Sequence, residues 1–335
     1  MPALTTRFLL LNHAVAEDNP NVSFALAPPE ADPLYPAANA LVKDRKIQYL
    51  GPGGNSFPDV VAVINLGSNK TVRVVGVMGL DFTTTGPVYP SNIGIRGFNT
   101  YPSPSIASVT CPVSPNRNKL TIGAGNFTAL GVKVGQRISG HANVNGRTVL
   151  TIDTPTQLTM NVAASGTGPD TFTALFEDWQ PVRPIGTFSY TGPDVLFVLP
   201  ANVSYRYYEF TFGSCFAPFL IGKFVAASMV DLGIAFSPGS SETSVLAKVY
   251  NRAADQSLRS TTVGPSRKRI DYQFLRVPQT ILDAIRTAHA SAPFTILTPY
   301  GETLEAEPTE GELSTNVVWG TPDLYDVVLS AEQLP

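Results

Sequence analysis

The stretch FPDVVAVINLGSNKTVRVVGVMGL, Phe57 to Leu80, constrains the chain most. Two β-branched apolar runs flank Leu66-Gly67-Ser68-Asn69-Lys70, a set of mostly turn-forming residues. That pattern predicts two strands joined by a turn. Val60, Ala62, Ile64 and Leu66 fall on one strand face, and Val61, Val63 and Asn65 on the other. Both faces begin apolar, as expected of a strand covered on both sides. In TVRVVGVMGL the pattern shifts near Gly76, which predicts a bulge or a close approach of backbone. Nothing in the stretch is suited to catalysis.

The same texture recurs along the 335 residues. LTTRFLLLN, NIGIRGF, DVLFVLP, VSYRYYEFTFG, FTILTPY, NVVWG and LYDVVLSAEQL all read as strands. In VSYRYYEFTFG the set Tyr208, Phe210 and Phe212 is expected on the core face, with Arg206 at its rim. Only PQTILDAIRTAHAS repeats Ile281, Leu282, Ile285 and Ala288 at helical spacing. PAANALVKD suits one or two helical turns started by Pro36. Charged residues make up 15% of the chain, against about 25% in ordinary domains. Aromatics reach 10%, too many for a disordered chain.

From Ser105 the sequence becomes rich in Gly, Asn and Thr, with short strands. Asn145-Gly146 predicts a two-residue hairpin between ISGHANV and RTVLTI. Residues 105–175 are therefore expected to form an inserted small β-barrel or sandwich. The remainder, 1–104 and 176–335, is expected to form one discontinuous region.

Several function classes are disfavoured. Net charge is −3, and Arg267-Lys268-Arg269 is the one basic cluster. It reads as a solvated strand edge, so no nucleic-acid partner is expected. His13, His141 and His289 lie far apart without metal-ligand spacing. Cys111 and Cys215 lie outside any CxxC, and whether they pair is open. GAGNFTALG has glycines but not the strand–helix setting of a phosphate loop, and GxSxG is absent. The acidic run Glu302, Glu305, Glu307, Glu310 and Glu312 lacks calcium-loop spacing and reads as a solvated loop. The apolar window Phe216–Phe236 contains Lys223 and Asp231 and reads as two buried strands, so no membrane insertion is expected. The apolar run near the N-terminus is too short for a secretory signal. These readings lead to a non-enzymatic protein with no cofactor and no metal.

YPAANALVKDRKIQYLGPGGNSFPDVVAVINLG followed by TVRVVGVMG resembles the opening of a discoidin-like, galactose-binding-type jelly roll. Asn65-Leu66-Gly67 matches the end of one of its strands. Tyr205-Arg206-Tyr207 stands near a later landmark, and Trp179 in EDWQPV fits the strand that often carries Trp. The order FLIGKFVAAS, SRKRIDYQFLRVPQTILDAIRTAHASAPFTIL and VVWG…YDVVLSAE is similar to minor tail and tail-tip proteins of tailed bacteriophages. Ala226-Ala227 departs from that group's Leu-Gly pattern. The resemblance implies an all-β jelly-roll sandwich with an inserted β domain and one helix. It implies a structural protein of the virion tail tip or baseplate, assembled in the host bacterial cytoplasm. Its partners would be other tail or virion proteins and copies of itself in a symmetric homo-oligomer. Alternative readings are a carbohydrate-binding module for host surface glycans and a capsid decoration protein.

Discoidin-like domains often bind sugars through loops at one end of the sandwich. The resemblance thus implies a glycan site, with Tyr89, Tyr101 and Trp179 as candidate stacking residues. Packing is the more common role for each of these side chains.

Overall fold

A computed structural model describes residues 5–30, 32–42, 48–51, 59–82, 92–167, 169–178, 180–187, 194–213, 218–237, 239–245, 248–252, 258–262, 267–290, 293–298, 303–309, 313–318 and 323–333. The all-β expectation holds. Among these residues the regular structure is strand, apart from the helix Gln279–Ala290 and a 3-10 turn at Ala37–Leu41 preceded by Pro36. The chain divides into two compact units. One comprises Met1–Asn12, Val72–Val74 and Ala226–Pro335, and the other His13–Thr71 and Val75–Val225.

In the first unit, Arg7–Asn12 lies between Phe294–Leu297 and the later residues of Lys223–Asp231. The sheet continues through Thr303–Pro308, Leu324–Gln333, Arg267–Pro278 and Ser241–Val245. Leu282, Ile285 and Ala288 recur at three-residue intervals, so the helix turns one apolar stripe inward. They join Phe8, Phe274, Phe294, Ile296 and Leu329 in one core. Fully burying each such side chain contributes roughly 1.5–3 kcal/mol. The register slips between Phe274 and Val277, where Arg276 takes φ 55°. Asp326 Oδ1 accepts the Arg276 N–H at 2.9 Å and secures that bulge.

The second unit holds a sandwich. One sheet runs Gln180–Thr187, Asn92–Phe98, Val195–Gly213 and Asp59–Met78, with Ser23–Leu26 added on Asp59–Met78. A smaller sheet runs Tyr49–Gly51, Phe219–Ile221, Asp81–Phe82. Tyr208, Phe210 and Phe212 alternate inward as expected, all fully buried. Phe212 meets Phe219 at 5.5 Å between ring centroids, and Phe210 meets Phe224 at 4.9 Å. The first of these contacts joins the two sheets.

The same unit contains a closed six-strand barrel. Its order is Arg147–Thr154, Gln157–Met160, Lys119–Ile122, Ser105–Cys111, Asp170–Glu177 and Arg137–Ser139. Val109, Leu120, Phe127, Ile138, Val149, Leu158 and Phe176 fill it. Closure pairs every strand on both sides and leaves no open edge.

The structure differs from expectation in four local places. Asp59–Met78 is one continuous strand, and the turn formers at 66–70 lie inside it. Gly67 absorbs the irregularity at φ 76°, with its N–H held by Asn65 Oδ1 at 2.9 Å. The link around Asn145-Gly146 is longer than two residues, because pairing stops at Ile138↔Arg147 and turns fill the interval. Glu305 is no loop residue: it is buried, in the strand Thr303–Pro308. Arg269 is not at an edge, since it pairs with Thr243 on one side and with Glu332 on the other.

Candidate functional site

A cluster of aromatic and polar groups lies in the second unit, on the sheet face opposite Tyr208, Phe210 and Phe212. The pairings Tyr207↔Phe98, Glu209↔Arg96 and Thr211↔Gly94 decide its contents. Residues directly opposite in an antiparallel pair share a face, so Tyr207, Phe98, Glu209 and Arg96 stand together. Val61 and Val63 of Asp59–Met78 pack into the same cluster. This explains why both faces of that strand are apolar.

Tyr101 completes the cluster. The chain leaves its strand after Phe98, and the following residues bring the Tyr101 ring onto Phe98 at 6.1 Å and Tyr207 at 5.9 Å. Phe98 is 3% and Tyr207 8% exposed, whereas Tyr101 is half-buried. Two buried rings thus form a floor, and Tyr101 presents part of a ring above it. Asp178 holds this segment, taking hydrogen bonds from the Asn99 backbone and the Thr100 side chain. Burial raises the Asp178 carboxyl above its ordinary value despite those bonds. Its Oδ1 is buried without a hydrogen-bond partner among the described residues.

Polar groups border the rings. The Arg206 guanidinium carbon stands 5.0 Å from the Tyr207 ring centroid, in cation–π range. Arg206 Nε donates to Asn65 Oδ1 at 3.1 Å, which fixes the plane of the fork. Beyond Tyr207, Arg96 Nη1 lies 3.5 Å from Glu209 Oε1, with the Arg96 side chain 43% and Glu209 16% exposed. Burial raises the Glu209 carboxyl, and Arg96 and the Thr211 hydroxyl oppose that rise. Burial, then the Glu209 charge, raises the Tyr101 phenol.

Of the expected stacking residues, Tyr101 lies in this cluster. Tyr89 and Trp179 lie outside the described residues, as does Cys215. Cys111 is a buried free thiol, raised by burial. Sequence reading missed Phe98, Tyr207, Arg96 and Glu209 as site residues. Alternation placed Tyr207 and Glu209 on one face, but the partner strand that joins them to Tyr101 is a matter of register. Among the described residues no group of His, Cys, Asp and Glu has a metal-binding arrangement, and no helix is long and apolar enough to cross a membrane.

No protein-family model matches the sequence, and no curated protein matches it. Solved structures similar to the chain include carbohydrate-binding modules. One is the family 32 carbohydrate-binding module of C. perfringens NanJ in complex with galactose, at 8% identity and TM-score 0.33, covering 66% of this chain and 99% of that one. A Streptococcus pneumoniae fucose-binding module follows at 10% identity and TM-score 0.30, covering 65% and 94%. A Ruminococcus gnavus GH29 fucosidase in complex with fucose gives 12% identity and TM-score 0.33, and the chain spans 27% of its length. At these TM-scores no residue correspondence is drawn. None of these comparisons bears on the tail-protein resemblance.

Proposed function

We propose that the face around Tyr101 binds a carbohydrate and does not turn it over. The observation that carries this reading is the part-exposed Tyr101 ring on a buried Phe98–Tyr207 floor, bordered by Asn65, Arg206, Arg96 and Glu209. A pyranose has an apolar C–H face and an equatorial fringe of hydroxyls. It needs a flat ring for the first and fixed donors and acceptors for the second. Here the fork of Arg206 is pre-oriented by Asn65, so little side-chain entropy is lost on binding.

The test is a glycan array followed by calorimetry on the intact protein. Tyr101→Ala is expected to remove binding while circular dichroism stays unchanged. An array that stays blank with folded wild-type protein overturns the proposal. Release of reducing ends from a bound polysaccharide overturns its non-enzymatic part.

A second reading rests on the motif order of the C-terminal half, from FLIGKFVAAS through the helix to YDVVLSAE. On that reading the protein assembles as a symmetric homo-oligomer with other virion proteins at a phage tail tip. A discrete ring in native mass spectrometry, with no glycan bound, is the outcome that favours it over the first.

A further inference from the structure

We infer that the carbohydrate bound at this face carries an oxyanion, a carboxylate or a sulfate ester, and that the outer edge of the Arg206 guanidinium receives it. The inference rests on the carbohydrate reading of the site and names its ligand class.

The place of Arg206 comes first. Its guanidinium carbon lies 5.0 Å from the Tyr207 ring centroid, and its Nε is held by Asn65 Oδ1 on the paired strand Asp59–Met78. Asn65 alternates with Val61 and Val63 on that strand, and those two valines pack into the Tyr101 cluster. The guanidinium is therefore turned toward the ring cluster. Tyr101, the part-exposed ring, stands against the same Tyr207 at 5.9 Å.

Arg206 has no counter-charge in this setting. Arg7 pairs with Asp231 at 2.8 Å, and Arg117 pairs with Asp170 at 2.7 Å. Arg206 is half-buried, yet no carboxylate among the described residues lies within ion-pair distance of its nitrogens. Glu209 lies further along the strand than Tyr207, away from Arg206, and faces Arg96. Withdrawing a charge from water costs free energy that a neutral amide and a ring return only in part, and an opposite charge returns more.

The shape of the remaining edge sets the chemistry. Nε is taken by Asn65, which leaves Nη1 and Nη2 side by side. That edge offers two parallel N–H donors, a spacing that two oxygens of one carboxylate or sulfate match. A single sugar hydroxyl fills only one of them. Asn65 already fixes the plane of the fork, so little freedom is lost when an oxyanion docks. A pyranose resting on Tyr101 thus presents its acidic substituent to Arg206 across Tyr207.

The experiment titrates the intact protein calorimetrically with sialyl-lactose, sulfo-lactose and lactose, and with tri-galacturonate against galactotriose, at low and at high sodium chloride. At low salt at least one acidic probe is expected to bind roughly three- to tenfold tighter than its neutral counterpart. High salt should narrow that gap. The class that shows it, carboxylate or sulfate ester, identifies the group. Asn65→Asp supplies Arg206 with an internal carboxylate and keeps the hydrogen bond, so it should fold and lose the preference. Arg206→Gln should lose it as well, and Arg206→Lys, a point charge without the fork, should keep only part of it. Equal affinity for acidic and neutral members, or a preference that survives Arg206→Gln in folded protein, overturns the inference and leaves the carbohydrate reading standing. Failure to bind any of the five probes overturns the inference; a blank glycan array in addition overturns the carbohydrate reading as well.

Discussion

Arg206 Nε donates to Asn65 Oδ1 at 3.1 Å across 141 residues of sequence, and the same oxygen accepts the Gly67 N–H at 2.9 Å. One amide thus shapes the irregular turn inside Asp59–Met78 and aims the guanidinium that lies over Tyr207. Replacing it with an apolar residue of the same length leaves two donors without their acceptor. Asn65→Leu should cost about 1–3 kcal/mol in urea denaturation and weaken glycan binding, whereas Asn65→Asp should retain both bonds.

Gly97 and Gly76 differ in what blocks them. A Cβ on Gly97 would lie 2.1 Å from the Tyr205 ring, and one on Gly76 would lie 2.0 Å from the Val195 carbonyl oxygen. A ring can swing aside, at about 1–3 kcal/mol for a forced rearrangement of packing. A strand backbone cannot move without breaking its ladder, and Gly76 also sits at φ 152°. Gly76→Ala should therefore lower the melting temperature more than Gly97→Ala does, as measured by calorimetry on both variants.

Glu209 makes stability depend on pH in a definite direction. Burial raises its folded value above the ordinary 4.5, so the folded state binds the proton more tightly than the unfolded chain. Its contribution is fully present below 4.5 and is lost as pH rises through the folded value. Glu209→Gln lacks this loss. Denaturant midpoints of wild type and variant, compared at pH 4.5 and pH 7.5, should shift in favour of the variant at the higher pH.

The barrel has the opposite dependence at Asp170. Hydrogen bonds from the Asn143 side chain at 3.0 Å and from Arg117 Nη2 at 2.7 Å hold its carboxyl below the ordinary 3.8. That contribution is present above 3.8 and is lost as pH falls through the lower folded value. In Arg117→Met the Asp170 carboxyl should titrate closer to 3.8, read by carboxyl carbon chemical shifts, and wild type should lose more of its stability than the variant below pH 3.8. Arg117 also donates to the Ala164 and Ser165 carbonyls, so the variant starts from a lower neutral-pH stability.

The periodic parts of the chain are legible in its sequence. Val60, Ala62, Ile64 and Leu66 share a buried face, Tyr208, Phe210 and Phe212 point inward, and Leu282, Ile285 and Ala288 make the helix stripe, as their spacing requires. The shift of pattern at Gly76 marks a real close approach to Val195. These features follow from side-chain direction along a single strand or helix, which is a property of the local backbone.

The turn formers at 66–70 mislead for the same reason. Local chemistry favours a bend there, yet the strand runs through it, with Gly67 at φ 76° absorbing the irregularity. The site itself was decided by tertiary structure. Tyr101 carries a signal as an aromatic residue in a Pro-rich loop, but nothing near it in sequence names Tyr207. Nor does Arg96, in NIGIRGF, name Glu209. Those partnerships depend on which strands pair and in what register. Register is set by the summed burial of distant faces, so a short-range pattern can state which side chains share a face and cannot state what they meet across it.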